Sequence, residues 1–111
     1  MAAAFAQIHA AWRDAGRPDP PHVSSSIWYA LGDDAEARLR RYAYDYLKIF
    51  GDEIGRGAAS MATCFGADAL RRTVANARDA GADEFFLVPT TADPDELTRT
   101  LDVLADVDCW A

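Results

Sequence analysis

Cysteine and histidine are scarce in this 111-residue chain: Cys64 and Cys109, His9 and His22. Two lone cysteines make neither a metal-ligand spacing nor a disulfide framework, so reduced thiols in a cytoplasmic protein are expected, with no metal site. No stretch approaches the roughly 18 consecutive apolar residues of a membrane helix, and the opening residues 1–9 lack the basic region of a secretion signal. No membrane partner is expected. Basic charge is also short, with 11 Lys and Arg against 18 Asp and Glu and a net charge of -7. That balance disfavours nucleic acid as a partner, and Arg38, Arg40, Arg41, Arg71 and Arg72 read as solvated helix faces.

The motifs of common chemistries are missing as well. There is no Gly-x-Ser-x-Gly elbow, no Walker loop and no His-Glu-x-x-His helix. Gly55-x-Gly57-x-x-Ser60 has part of a dinucleotide loop, but it lacks the third glycine and follows a helix, so it reads as a flexible loop. His9 and His22 have no carboxylate at a useful spacing. Ser24, Ser25 and Ser26 could line a pocket, but no base can be named for a nucleophile. The residues alone therefore assign no catalytic role.

What remains is ordinary globular composition, 50% hydrophobic and 26% charged. A single domain over residues 1–111 is expected, burying roughly two thirds of its unfolded surface. Phe85-Phe86-Leu87-Val88 is an unbroken apolar run with the length of a doubly buried strand, ended by Pro89. After it, Asp93, Pro94 and Glu96 form an Asp-x-x-Glu capping box for a helix over 94–105, with Leu97, Leu101 and Leu104 expected inward.

Upstream, residues 2–15 read as a helix with Phe5, Ile8 and Trp12 on one face and Gly16 as its stop. Three prolines then stiffen a connector, and residues 22–31 read as a strand whose serines suggest a wet face. Asp33 and Glu36 repeat the capping box, a sign of a repeated strand-loop-helix unit. The helix that follows carries Leu39, Tyr42, Ala43, Tyr46, Leu47 and Phe50 as its apolar stripe, with Tyr44 on the opposite side. Residues 51–65 read as loop with a short helical turn, and residues 67–80 as a helix facing inward through Leu70, Val74 and Ala77. Alternating strands and helices predict an α/β fold with parallel strands and helices on the outer side. Thr90 and Thr91 follow the carboxyl end of a strand, where such folds place ligands, although the same residues also suit a turn and helix entry.

Several runs taken together resemble the carboxyl-terminal part of the luciferase-like flavin- or deazaflavin-dependent monooxygenases. They are Ala15-Gly16-Arg17-Pro18, Trp28-Tyr29-Ala30-Leu31-Gly32-Asp33-Asp34-Ala35-Glu36, Tyr42-x-Tyr44-x-Tyr46-Leu47, and residues 80–91 from Ala80-Gly81 through Val88-Pro89-Thr90-Thr91. The resemblance implies a partial TIM barrel, residues 22–31 matching barrel strand seven and residues 84–88 matching strand eight. It also implies an oxidoreductase that uses FMN or a reduced deazaflavin, with Thr90 and Thr91 as cofactor-binding rim residues. An eight-stranded barrel needs about 250 residues. The family's phosphate-holding stretch would lie upstream, so two strands alone are not expected to hold the cofactor or to act unaided. Two strands also have unpaired edges, which calls for a homo-oligomer or for the missing amino-terminal barrel part. The rival expectation is a non-enzymatic α/β module for oligomerisation or partner binding, with Trp12, Tyr44 and Trp110 making contacts.

Overall fold

Alternation along two short strands decides which side of this molecule is dry. In a computed structural model, which describes residues 1–105 and 107, β1 (Ser24–Tyr29) and β2 (Glu84–Pro89) pair in parallel. Ser24 stands opposite Glu84 and Tyr29 opposite Pro89. Ile27, Tyr29, Phe85 and Leu87 share one face and pack with Leu70, Val74, Val103 and Leu104. On the other face Ser24, Ser26, Glu84 and Phe86 stay exposed. Cys109 and Trp110 lie outside the described residues.

Among the described residues the architecture is mixed α/β, five α-helices and this two-stranded sheet. Helix α1 (Ala2–Asp14) sets Phe5 against Val23, Ala77 and Ala82, and Gly16 ends its turn at a φ of 74° that suits glycine. Helix α2 (Ala35–Leu47) buries Ala35, Leu39 and Ala43 and runs into a 3-10 turn over Lys48–Phe50. Helices α3 (Asp52–Met61), α4 (Ala67–Asp79) and α5 (Asp95–Leu104) complete the order. Helix α4 buries Leu70, Val74 and Ala77, the stripe its sequence predicts. Leu39 and Leu70 are fully covered, each worth about 1.5–3 kcal/mol of apolar burial.

Several sequence expectations need correction. Residues 51–65 are not mainly loop, because Asp52–Met61 forms α3 with Asp52 and Glu53 in its first turn. Gly55 serves packing: a Cβ there would lie 2.9 Å from the Tyr44 ring and 3.1 Å from the Lys48 Cα, so only glycine lets α3 cross α2 this closely. Tyr44, on the side opposite the α2 stripe, makes its contact within the chain: it packs on α3 and donates its hydroxyl to Asp52 Oδ1 at 2.6 Å. Neither Asp-x-x-Glu pair closes a capping box. Glu36 pairs with Arg40 at 3.3 Å, and Asp93 accepts the Asp95 N–H while Glu96 turns inward.

That turn rotates the whole of α5. Glu96 and Thr100 are buried with Val103 and Leu104 half-buried, whereas Leu97 and Leu101 face outward. Moving the buried face by one residue is a rotation of about 100°. It is held by the Tyr29 and Thr100 hydroxyls at 2.6 Å and by the Glu96 contacts described below. Phe50 also leaves the expected α2 stripe, because the 3-10 turn carries it into solvent.

Beyond Tyr29 the outer edge of β1 is strapped by residues 64–66. Ala30 donates to the Cys64 carbonyl at 3.1 Å and accepts the Gly66 N–H at 3.0 Å. The molecule is a slab, 47 × 39 × 19 Å, with a radius of gyration of 16.0 Å. A closed domain of this length would measure about 13 Å. Among the described residues, one face of its sheet stays exposed at Ser24, Ser26, Glu84 and Phe86.

Candidate functional site

The residues that follow the strands' carboxyl ends are held by a buried charge. Glu96, 1% exposed, accepts the Leu31 N–H at 3.1 Å and the Arg38 guanidinium at 2.5 Å. Arg38 also donates to the Leu31 carbonyl at 2.6 Å and to Asp34 Oδ1 at 2.9 Å, and Arg99 reaches Glu96 Oε1 at 3.3 Å. One carboxylate thus ties the β1–α2 connection to the first turn of α5. Removing water from a carboxylate is costly unless such partners replace it.

With that connection fixed, α2 stands beside Trp28, the last large residue on the open face of β1. The Trp28 ring meets Tyr42 at 5.3 Å and Tyr46 at 5.0 Å edge to face, and the two tyrosines stack at 6.1 Å. Next to this cluster lies a groove of about 310 Å³. Ser26 and Trp28 of β1, Leu47 of α2, and Ala58, Met61 and Thr63 from α3 and beyond form most of its walls. Among the described residues no charged side chain lines it. An apolar groove with two hydroxyls suits a flat, weakly polar ligand and offers no counter-ion for a phosphate.

The predicted rim residues lie at the neighbouring strand end. Thr90 is buried and donates its hydroxyl to the Tyr29 carbonyl at 3.0 Å, which locks the two strand ends together. Thr91 is half-buried, and its hydroxyl accepts the Asp93 N–H at 3.2 Å. Both hydroxyls are engaged, that of Thr90 on β1 and that of Thr91 in the turn that leads into α5. His22, placed by its sequence neighbours without an acidic partner, lies 3.2 Å from Glu84 across the sheet, with both side chains exposed. His9 stands on α1 beside Arg13, away from these contacts. Ser24 and Ser26 face the open side, as a wet face requires, and Ser25 is half-buried.

No protein-family model, curated protein or solved structure matches the chain. Function therefore has to be argued from this geometry. Among the described residues no cluster of His, Cys, Asp or Glu could hold a metal ion, and no helix is long and apolar enough to cross a membrane. Burial pushes the Cys64 thiol above its ordinary range, and its Sγ donates to Thr73 Oγ1 at 3.5 Å. A neutral, covered thiol is a core residue and not a nucleophile. Sequence reasoning missed Glu96 as a buried group and Trp28 as the centre of an aromatic cluster. The (i, i+4) spacing of Tyr42 and Tyr46 was the available signal for the cluster. Nothing local marks Glu96, whose partner Arg38 is 58 residues distant.

Proposed function

We propose that this chain is an arc of a luciferase-like barrel, strands seven and eight with their helices, and that it serves a flavin- or deazaflavin-dependent oxidoreductase of the cytoplasm. The observation that carries the reading is the one-sided sheet. Two parallel strands bury one face under α4 and α5 and leave the other face open at Ser24, Ser26, Glu84 and Phe86, with Trp28 at its end covered by α2, as an inward-looking barrel wall would be open. The aromatic groove stands at the carboxyl end of that wall, where barrel enzymes bind ligands.

The groove fits part of the cofactor. Its volume and apolar walls suit the tricyclic ring, with Trp28 and Met61 against the faces and Ser26 and Thr63 supplying hydrogen bonds at the edge. Its lack of a cation does not suit the phosphate, which in this reading is held by barrel residues outside these two strands. A bound reduced flavin or deazaflavin supplies hydride transfer or oxygen activation. The residues here orient the ring.

Titration of the purified chain with lumiflavin and with FMN tests the reading. Saturable quenching of flavin fluorescence is expected with equal affinity for the two, since no charge in the groove recognises phosphate. Trp28→Ala should weaken both at least tenfold. No saturation below about 1 mM, a level worth about 4 kcal/mol of binding, would leave the second reading, a non-enzymatic association module. The apolar side chains that α2 and α3 hold in solvent favour that alternative.

A further inference from the structure

The hairpin made by the end of α2, the 3-10 turn and α3 presents five large apolar side chains to solvent. Tyr46 is 60% exposed, Ile49 79%, Phe50 68%, Ile54 51% and Met61 82%. Such a concentration in sixteen residues is uncommon on a monomer surface and marks a contact site. Five of the six charged side chains around it, all but Glu53, pair within the hairpin: Arg41 and Lys48 on Asp45, and Arg56 on Asp52. Residues 41–61 hold three basic and three acidic residues, so the hairpin is neutral while the other residues carry the whole charge of -7. Two copies of so acidic a chain repel over most of their surface and least across this patch.

Area points the same way. The chain exposes 7401 Å², against about 6,000 Å² for a monomeric protein of its mass. The five side chains together expose roughly 700 Å², about half as much as that difference. Two such patches face to face would bury roughly 1,400 Å², inside the range of about 1,200–2,000 Å² for stable interfaces.

We propose that the hairpin is a homotypic interface, through which two copies of the chain associate about a two-fold axis and form a four-helix contact from α2 and α3 of each. The occupant is a second copy and not an acidic or basic ligand, because the face is apolar and neutral and its ion pairs are internal. The patch shares Met61 with the groove, so a flavin and a second copy would meet at that side chain, but the two are read by different signals, fluorescence for the flavin and sedimentation for the dimer.

Sedimentation velocity from about 1 to 200 µM tests it on the wild-type chain, on the double variant Ile49→Glu with Phe50→Glu, and on Phe86→Glu in the open sheet face. The wild type should show a reversible monomer–dimer equilibrium that tightens with added salt, since screening relieves repulsion between like-charged copies. The double variant should weaken it at least a hundredfold with an unchanged far-ultraviolet circular dichroism spectrum, and Phe86→Glu should change it less than threefold. A monomer at every concentration would overturn the proposal. So would a dimer insensitive to the hairpin substitutions, or one abolished by Phe86→Glu, which would place the contact on the sheet.

Discussion

Glu96→Ala is the substitution whose cost follows most directly from the coordinates. It strands the Leu31 N–H, a loss of about 1–3 kcal/mol for a buried unpaired donor. It also takes the carboxylate from Arg38. Breaking a fully buried pair costs about 3–5 kcal/mol, but Arg38 keeps Asp34 and the Leu31 carbonyl, and its side chain is 25% exposed. The charge is therefore eased, and about 3 kcal/mol is expected in total. A chain of this size has about 5–15 kcal/mol of stability, so the variant should still fold. Its thermal midpoint should fall by roughly 12–15 °C. Urea unfolding followed by circular dichroism, at one fixed protein concentration because association shifts the equilibrium, measures the change. The double variant Arg38→Met with Glu96→Leu removes both charges together and should lose less than Glu96→Ala alone. A Glu96→Ala chain within about 0.5 kcal/mol of wild type, or single losses that simply add in the double variant, would refute the account of a coupled buried pair.

Three further outcomes follow from other contacts. Gly55→Ala should destabilise by about 1 kcal/mol, because overpacking of about 1–3 kcal/mol against Tyr44 and the Lys48 backbone outweighs the gain of about 1 kcal/mol in helix propensity. Thermal melts decide it, and a stabilised variant would show that α3 does not cross α2 so closely. The Tyr44 phenol ionises above its ordinary range of 10.0 because its hydroxyl donates to Asp52 and the carboxylate repels a phenolate. Ultraviolet titration should show one tyrosine returning toward the ordinary range in Asp52→Asn, and an unchanged titration would remove the contact. The raised Cys64 thiol ties stability to alkaline pH. Unfolded, the thiol ionises first, near pH 8.5. Between there and the higher folded value the native state holds the extra proton, so stability present at neutral pH declines as pH rises. Urea midpoints at about pH 7.5 and 9.5 should fall further in wild type than in Cys64→Ala; equal declines would contradict the burial argument.

Local signals made half of the fold legible. The apolar run 85–88 and the Leu70, Val74, Ala77 stripe announce β2 and α4 because their partners are dictated by periodicity alone. Helix α3 was hidden because glycine lowers helix propensity, and the reason for Gly55 is a ring eleven residues earlier in sequence. The face of α5 was misread because leucine at 97 and 101 outweighs a carboxylate at 96 on any hydrophobic scale. The decision lies instead with Leu31, Arg38 and Tyr29, far away along the chain. Of the site, the wet face of β1 could be read from its serines. The aromatic cluster around Trp28 needed the path of α2, which is fixed by the same distant carboxylate.

The strap of residues 64–66 along Ala30 has a consequence for self-assembly. An open parallel ribbon recruits identical ribbons without limit unless something blocks its flank. Here the last rung is already taken, so a recruited strand would find hydrogen-bonding partners only from Ser24 to Trp28 and would meet Phe65 at its tip. Polymerisation into fibres is thereby curtailed on that side, and a segment able to lodge there must be short and stop before Ala30.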